Sequence, residues 1–236
     1  KYLFGVIMKS LVFLASNLND IFYKYIENME YEIIKIEKSL NTYDSISNHP
    51  DIFVFSTGEK LIVDISIYDE LKEILGNCVI KGNSQVGKKY PNNIQYNVAR
   101  VGKYLIHNKK YTDKIIIENS NCQFINVNQG YSKCNTLIVD DNSIITSDKG
   151  IYKEVIENGL DALLISQGYI FLKGLEYGFI GGSSVRLKDE IIFYGDISNH
   201  PDFKVIKIFI ESKNLKIKYF KFLLEDIGSC IVLDRK

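Results

Sequence analysis

A strand–strand–helix–strand order recurs along this chain about every 40–50 residues, and a repeat of that period restricts the fold to an array of equivalent modules. The first module reads as a strand over Ser10–Ala15, a helix over Asn19–Met29 and a strand over Glu32–Glu37. In the second, Ile52–Phe55 and Leu61–Asp64 flank a turn at Thr57-Gly58-Glu59; a helix over Ser66–Leu75 ends at Gly76, and Cys78–Lys81 follows as a strand. The third has strands over Ile94–Ala99 and Lys103–His107, a helix over Tyr111–Asn119 and a strand over Cys122–Val127. In the fourth, Thr136–Val139 and Ser143–Thr146 bracket the turn Asp140-Asp141-Asn142. Ser147 or Asp148 caps a helix that runs to Asn158, Gly159 closes it, and Ala162–Ser166 is a strand. The fifth has Tyr177–Ile180 and Val185–Leu187 around a Gly-Gly, then Ile191–Tyr194, a helix opened by His200-Pro201-Asp202 and running to Lys213, and a strand over Lys216–Phe220. The tail Ile227–Leu233 is one more apolar strand, expected to pair with the N-terminal strands and close a ring. With three Pro in all and no linker rich in Pro, Gly or Ser, residues 1–236 read as one domain.

Composition removes several function classes. A chain of 236 residues that is 46% hydrophobic and 12% aromatic cannot stay solvated as a disordered segment. Its 29 Lys and Arg balance 29 Asp and Glu, so neither a nucleic acid nor an anionic membrane is held by bulk charge. The apolar stretch Leu3–Ala15 is broken by Lys9-Ser10, falls short of the roughly 20 residues a membrane span needs, and precedes no small-residue cleavage pattern. It reads as a lead-in and a buried strand. Cys78, Cys122, Cys134 and Cys230 lie far apart with no CxxC pair, so no zinc or redox dithiol is written locally, and reduced thiols in the cytoplasm are the expectation.

The strongest internal signal is a six-residue repeat: Ile46-Ser47-Asn48-His49-Pro50-Asp51 recurs as Ile197-Ser198-Asn199-His200-Pro201-Asp202. Two readings stand. Each Asp can raise the basicity of its neighbouring imidazole and fix the tautomer, poising His49 and His200 for proton transfer. Alternatively each Asp caps a turn or helix, with His packed on it and Pro enforcing the bend. A metal site would need the fold to bring both copies together.

The module order, with Gly178-Phe179-Ile180-Gly181-Gly182 and Asp226-Ile227-Gly228-Ser229-Cys230-Ile231-Val232-Leu233, resembles the pentein or guanidino-group-modifying enzyme superfamily. Tyr90-Pro91-Asn92-Asn93-Ile94-Gln95-Tyr96-Asn97-Val98-Ala99-Arg100-Val101-Gly102, Gln129-Gly130-Tyr131-Ser132-Lys133-Cys134 and Asn199-His200-Pro201-Asp202 resemble an uncharacterised clade of it. The likeness runs from about Ser10 to the C-terminus. It implies an α/β fold, a five-bladed ββαβ propeller with a central polar channel. It also implies the amidinohydrolase chemistry of characterised penteins: a Cys nucleophile in the last strand segment, a His as acid and base, and carboxylates gripping a guanidinium. Cys230 stands about where that nucleophile is expected, and Ser229 could equally occupy the slot. The segment Gly181-Gly182-Ser183-Ser184 has no His where those enzymes carry theirs. Asn97 and Arg100 stand near the place of a substrate-gripping Asp, and an Arg suits a carboxylate or phosphate.

Cys134 follows Lys133, whose ammonium favours a thiolate; the alternative is a small buried hydrophobe. The Gly181-Gly182-Ser183-Ser184 loop offers amides and hydroxyls as an anion cradle, or is a tight bend. Cys78 and Cys122 read as core, His107 as a surface residue at a strand end, and Lys213, Lys216, Lys218 and Lys221 as a solvated face. The expected function is binding or hydrolysis of a small polar molecule in the channel. Cys134 or Cys230 would be the nucleophile and His49 or His200 the proton carrier. Asn97, Arg100, Lys133, Gly181, Gly182, Asp202, Asp226 and Ser229 would contact the substrate. No cofactor or metal is expected, the partner is a small molecule rather than nucleic acid or membrane, and the competing class is a non-catalytic protein-interaction module.

Overall fold

The computed structural model describes residues 9–235. Residues 3–8 of the lead-in lie outside them. In chain order the elements are β1 (Leu11–Ala15), α1 (Asp20–Asn28), β2 (Glu32–Ile36), α2 (Pro50–Phe53), β3 (Val54–Ser56), β4 (Leu61–Val63), α3 (Tyr68–Leu75), β5 (Val79–Lys81), β6 (Ala99–Val101) and β7 (Tyr104–His107). They continue with α4 (Lys114–Asn119), β8 (Gln123–Asn126), α5 (Ser132–Asn135), β9 (Thr136–Ile138), β10 (Ser143–Thr146), α6 (Lys149–Glu157), β11 (Asp161–Leu164), β12 (Ser184–Leu187), β13 (Glu190–Phe193), α7 (Phe203–Glu211), β14 (Lys216–Lys218) and β15 (Ile231–Leu233).

The strands form five three-stranded sheets of one design. In each, a first strand runs antiparallel to the middle strand, and the middle strand runs parallel to a third reached through a helix. Thr146 of β10, for example, faces Thr136 of β9 on one side and Leu164 of β11 on the other. Parallel neighbours need a crossover connection, which explains why a helix always separates the second and third strands, while in the four sheets built from consecutive strands a short turn joins the first two. The fifth sheet is assembled from both chain ends: β15 pairs antiparallel with β1, Leu11 opposite Leu233 and Phe13 opposite Ile231, as the apolar tail led one to expect.

The four longest helices each bury one apolar stripe against a sheet. Phe22, Tyr23 and Ile26 do so on α1, Leu71 and Leu75 on α3, Ile151 and Val155 on α6, and Ile206 and Ile210 on α7. Full burial of such a side chain contributes about 1.5–3 kcal/mol, far more than helix propensity in elements this short. Local caps set the starts: Asp148 Oδ1 accepts from Ile151 N (2.8 Å), and Asp113 Oδ1 from Ile115 N (2.8 Å). Asp113 Oδ2 also takes the amides of Asn83 and Ser84 (2.9 and 2.7 Å), so α4 begins at Lys114 rather than at Tyr111.

Four expected strands depart from their apolar runs; in the first, Ile52 and Phe53 belong to the helical turn α2, so that β3 starts only at Val54. Ile94–Val98, Tyr177–Ile180 and Ile227–Cys230 carry no strand backbone, although Ile94, Val98, Ile180, Ile227 and Cys230 are all buried. The site below explains why. His107 corrects another expectation: it is fully buried, not superficial. Thr112 Oγ1 (2.7 Å) and the Gly130 carbonyl (2.8 Å) satisfy both ring nitrogens, and burial lowers its pKa to about 4, so a neutral ring fits the interior. Cys78 and Cys122 are half-buried against the core around β3 and β4. Lys213, Lys216 and Lys221 pair with Asp161, Asp189 and Asp196 near the surface, and Lys218 lies over the Tyr25 and Phe220 rings. No helix among the described residues is long and apolar enough to cross a membrane.

Candidate functional site

The five segments that enter β3, β6, β9, β12 and β15 are joined in a closed circuit of hydrogen bonds. Asp51 N donates to Gly228 O (3.2 Å), Asn97 Nδ2 to Asp51 O (3.3 Å), and Lys133 N to Asn97 O (3.1 Å). Gly182 N then donates to Cys134 O (2.8 Å), and Ser229 N to Gly182 O (2.8 Å), which returns the circuit to the Gly228-Ser229 segment. Backbone groups committed between segments are not available to a strand ladder. That is why the apolar runs at 94–98 and 227–230 stop short of being strands.

The circuit gathers polar side chains that a core would otherwise exclude. Asn97 is held at four points: its Oδ1 accepts from Lys133 N (2.8 Å) and Cys134 N (3.2 Å), and its Nδ2 also donates to Cys134 Sγ (3.2 Å). The Cys134 thiol in turn donates to Asp51 Oδ2 (2.9 Å). Asp51 is wholly buried, and its Oδ1 has no hydrogen-bond partner among the described residues. Burial, with repulsion from Asp226, raises the Asp51 pKa to about 8. Burial and the charges of Asp51 and Asp226 likewise push the Cys134 thiol well above its ordinary range, so the thiol is protonated at rest. Lys133 Nζ donates to Ser229 Oγ; burial lowers its pKa, while Asp51, Cys134, Cys230 and Asp226 act to keep it charged. Ser229 is fully buried with φ 63°, an uncommon conformation for a residue with a side chain. Cys230 is buried beside it, its pKa pushed up to about 12 by desolvation.

On another side of the cluster, Asp226 accepts from Gly228 N (2.9 Å) through Oδ1 and from Phe179 N (3.0 Å) through Oδ2. Burial raises its pKa to about 6 against those two bonds. The Gly178–Gly182 loop wraps this carboxylate: a Cβ on Gly182 would overlap Asp226 Oδ1, and one on Gly228 (φ 74°) would overlap the His49 side chain. Hence Tyr177–Ile180 is a clamp and not a strand. The Ser183 and Ser184 hydroxyls both donate to Ile180 O (3.1 and 2.6 Å), and Gly182 N is taken by Cys134 O, so these donors of the loop are occupied. His49 Nδ1 lies 3.9 Å from Asp226 Oδ1, too far for a hydrogen bond. Burial lowers the His49 pKa to about 3, so the two groups are a neutral ring beside a carboxyl and not an ion pair.

Two cavities reach this cluster. The larger, 280 Å³, has Lys133 and Cys230 in its lining and touches every entering strand, through Ser56, Arg100, Leu137, Arg186 and Val232. The smaller, 100 Å³, is lined by Asn48, His49 and Asp226 among others. Of the residues singled out from sequence, the cluster and its cavities thus bring together Cys134, Cys230, His49, Asn97, Arg100, Lys133, Gly181, Gly182, Asp226 and Ser229. His200 and Asp202 stand apart. His200 Nδ1 accepts from Asp202 N (3.1 Å) while its other nitrogen meets Ser166 O (3.2 Å), and Asp202 Oδ2 accepts from Ser166 N (2.6 Å). The second copy therefore ties the start of α7 to the loop at Ser166, with no cap hydrogen bond from Asp202 to the helix, while the first copy lies in the cluster. Sequence reasoning missed Asp51 and Arg186. Asp51 was signalled by the repeat itself; Arg186, a charged residue inside an apolar strand, by its place in the alternation of β12.

Solved structures share this fold at low identity. The dimethylarginine dimethylaminohydrolase of Pseudomonas aeruginosa, in complex with citrulline, superposes with a TM-score of 0.60 at 8% identity over 95% of this chain and 99% of that one. The agmatine deiminase of C. jejuni gives 0.59 at 10%, covering 96% and 94%. ArgZ, an arginine dihydrolase of the ornithine–ammonia cycle in cyanobacteria, gives 0.57 at 9%, covering 97% of this chain and 40% of the other. The likeness is one of fold, and it bears out the pentein-like fold expected from the sequence. No curated protein matches the chain. Residues 13–231 match the profile of a family described as of unknown function, and this protein belongs to that family, DUF6873.

Proposed function

We propose that the five modules stand around a common axis as the blades of a single-domain α/β propeller, and that the protein binds a small polar molecule in the axial cavity. One observation carries this: the five entering segments are tied in a closed hydrogen-bond circuit, and all five entering strands line one cavity with polar groups at its inner end. The fold relatives are named for guanidino substrates or products. Here an internal ammonium, Lys133, already sits within the field of Asp51 and Asp226, and a second cation at that place would meet its charge. The reading is therefore binding of a small polar molecule other than a guanidine, outward of Lys133.

A second reading, hydrolysis through a covalent adduct on Cys134, is favoured by the thiol's hydrogen bond to Asp51 Oδ2, which can take up the thiol proton where Asp51 is ionised, above about pH 8. A thermal-shift screen of small polar metabolites tests the first reading, with Ile138→Trp as a variant that fills the cavity. Ligands are expected to raise the melting temperature of the native chain and not of the variant. A screen in which no polar molecule stabilises the native chain, or in which the variant responds equally, refutes it. Mass spectrometry of the liganded protein separates the second reading, since an adduct must map to Cys134.

A further inference from the structure

The larger cavity carries a graded set of charges that the cluster chemistry does not use. Its inner end holds the Lys133 ammonium, in the segment entering β9. Its walls hold two guanidinium groups, Arg100 at the middle of β6 and Arg186 on β12. Its far end holds three carboxylates, Asp140 and Asp141 in the turn after β9 and Asp234 just past β15. Neither arginine pairs with a carboxylate among the described residues, although Arg100 is half-buried. Its guanidinium lies along Gly58, where an added Cβ would stand 2.6 Å from Nη1. Asp140, Asp141 and Asp234 are likewise without an ion pair among those residues.

Guanidinium groups left unpaired in a concave wall, Arg100 half-buried and Arg186 exposed, favour a carboxylate or phosphate, which can accept two parallel hydrogen bonds. Carboxylates at the rim favour a cation there. From Thr136 to Asp140 the strand rise gives a depth of about 13 Å, so one small molecule can meet both zones. We propose that the cavity takes a zwitterion that enters anion first, its acidic group between Arg100 and Arg186 and facing Lys133, its ammonium at Asp140, Asp141 and Asp234. This inference rests on the axial-cavity reading above and adds the charge class of the ligand.

Three probes with the same six-carbon chain isolate the charges: 6-aminohexanoate, hexanoate and hexylamine, titrated calorimetrically at low ionic strength. The zwitterion is expected to bind at least ten-fold tighter than either single-charge probe. Arg100→Gln should weaken it by ten-fold or more, consistent with loss of a charge-assisted pair. The double variant Asp141→Asn with Asp234→Asn should bring 6-aminohexanoate down to the affinity of hexanoate and leave hexanoate itself unchanged. Hexylamine binding as well as 6-aminohexanoate, or none of the three binding, overturns the proposal. In the second case the metabolite screen still decides the cavity reading on its own, because an uncharged ligand that Ile138→Trp excludes would sustain the cavity and sink only the charge class.

Discussion

Replacing Asp51 by Asn should change the slope of stability against pH, not merely its level. In the folded chain Asp51 titrates near 8, because burial and the Asp226 charge oppose its ionisation, whereas an unfolded Asp titrates near 3.8. Between those values the folded state keeps a proton that the unfolded state has lost, so stability falls as pH rises, by about 1.4 kcal/mol per pH unit from this residue alone. Over the whole window the loss approaches about 6 kcal/mol. Asn cannot ionise and removes that slope. Its amide also sits where Asp51 Oδ1 has no partner, a cost of about 1–3 kcal/mol that does not vary with pH. The variant should therefore be less stable than the native chain at pH 4 and more stable at pH 8, the curves crossing between about pH 4.5 and 6. Asp226, raised to about 6, adds slope to both proteins and leaves the difference intact. Urea denaturation at each pH unit from 4 to 8 measures it. Parallel curves, or a variant that loses ground as pH rises, would refute the reasoning that Asp51 is held protonated against its solution tendency.

Other perturbations probe the same architecture. Gly182→Ala drives a methyl group into Asp226 Oδ1 and should cost about 3 kcal/mol or more by overpacking, read as a drop in the urea midpoint; a neutral effect would mean the clamp is loose. Asp113→Ala removes the α4 cap and two further amide partners, at about 3 kcal/mol or more, and amide exchange should quicken at Ile115, Asn83 and Ser84 together. Alkylation of the ligand-free protein with iodoacetamide at pH 7 should label half-buried Cys78 and Cys122 first and Cys134 and Cys230 far more slowly. Fast labelling of Cys134 would show a thiolate where burial demands a thiol.

The alternation of apolar and polar residues was enough to read the module order, because each sheet and its helix satisfy one local pattern. Every middle strand, β1, β4, β7, β10 and β13, lies inside or within a residue of its expected range. The entering strands were read less well, for a physical reason. Ile94–Val98 has the apolar content of a strand and is buried like one, but Asn97 N and Val98 N bond inside the run, to Ile94 O and Tyr96 O, while Gln95 O and Asn97 O accept from Asp113 N and Lys133 N of other segments. Hydropathy registers burial; it carries no information on which partner a backbone amide finds across 40 residues of chain.

The six-residue repeat shows the same limit at the level of chemistry. Its two copies are identical in sequence and both place Asp two residues past His, yet their carboxylates differ in kind. Asp202 has Ser166 N as a donor, and its pKa is lowered chiefly by that bond. Asp51 sits at the convergence of five chain segments, receives a weak S–H donor and faces a second buried carboxylate, so its pKa moves in the opposite direction. What makes one copy a tie to a neighbouring loop and the other part of the cluster is the surroundings that distant segments supply. The Lys133-Cys134 pair was legible as candidate chemistry because a charge next to a thiol is informative by itself. The protonated state of that thiol was not, since it follows from carboxylates 83 residues earlier and 92 later, at Asp51 and Asp226, which only the folded circuit brings to it.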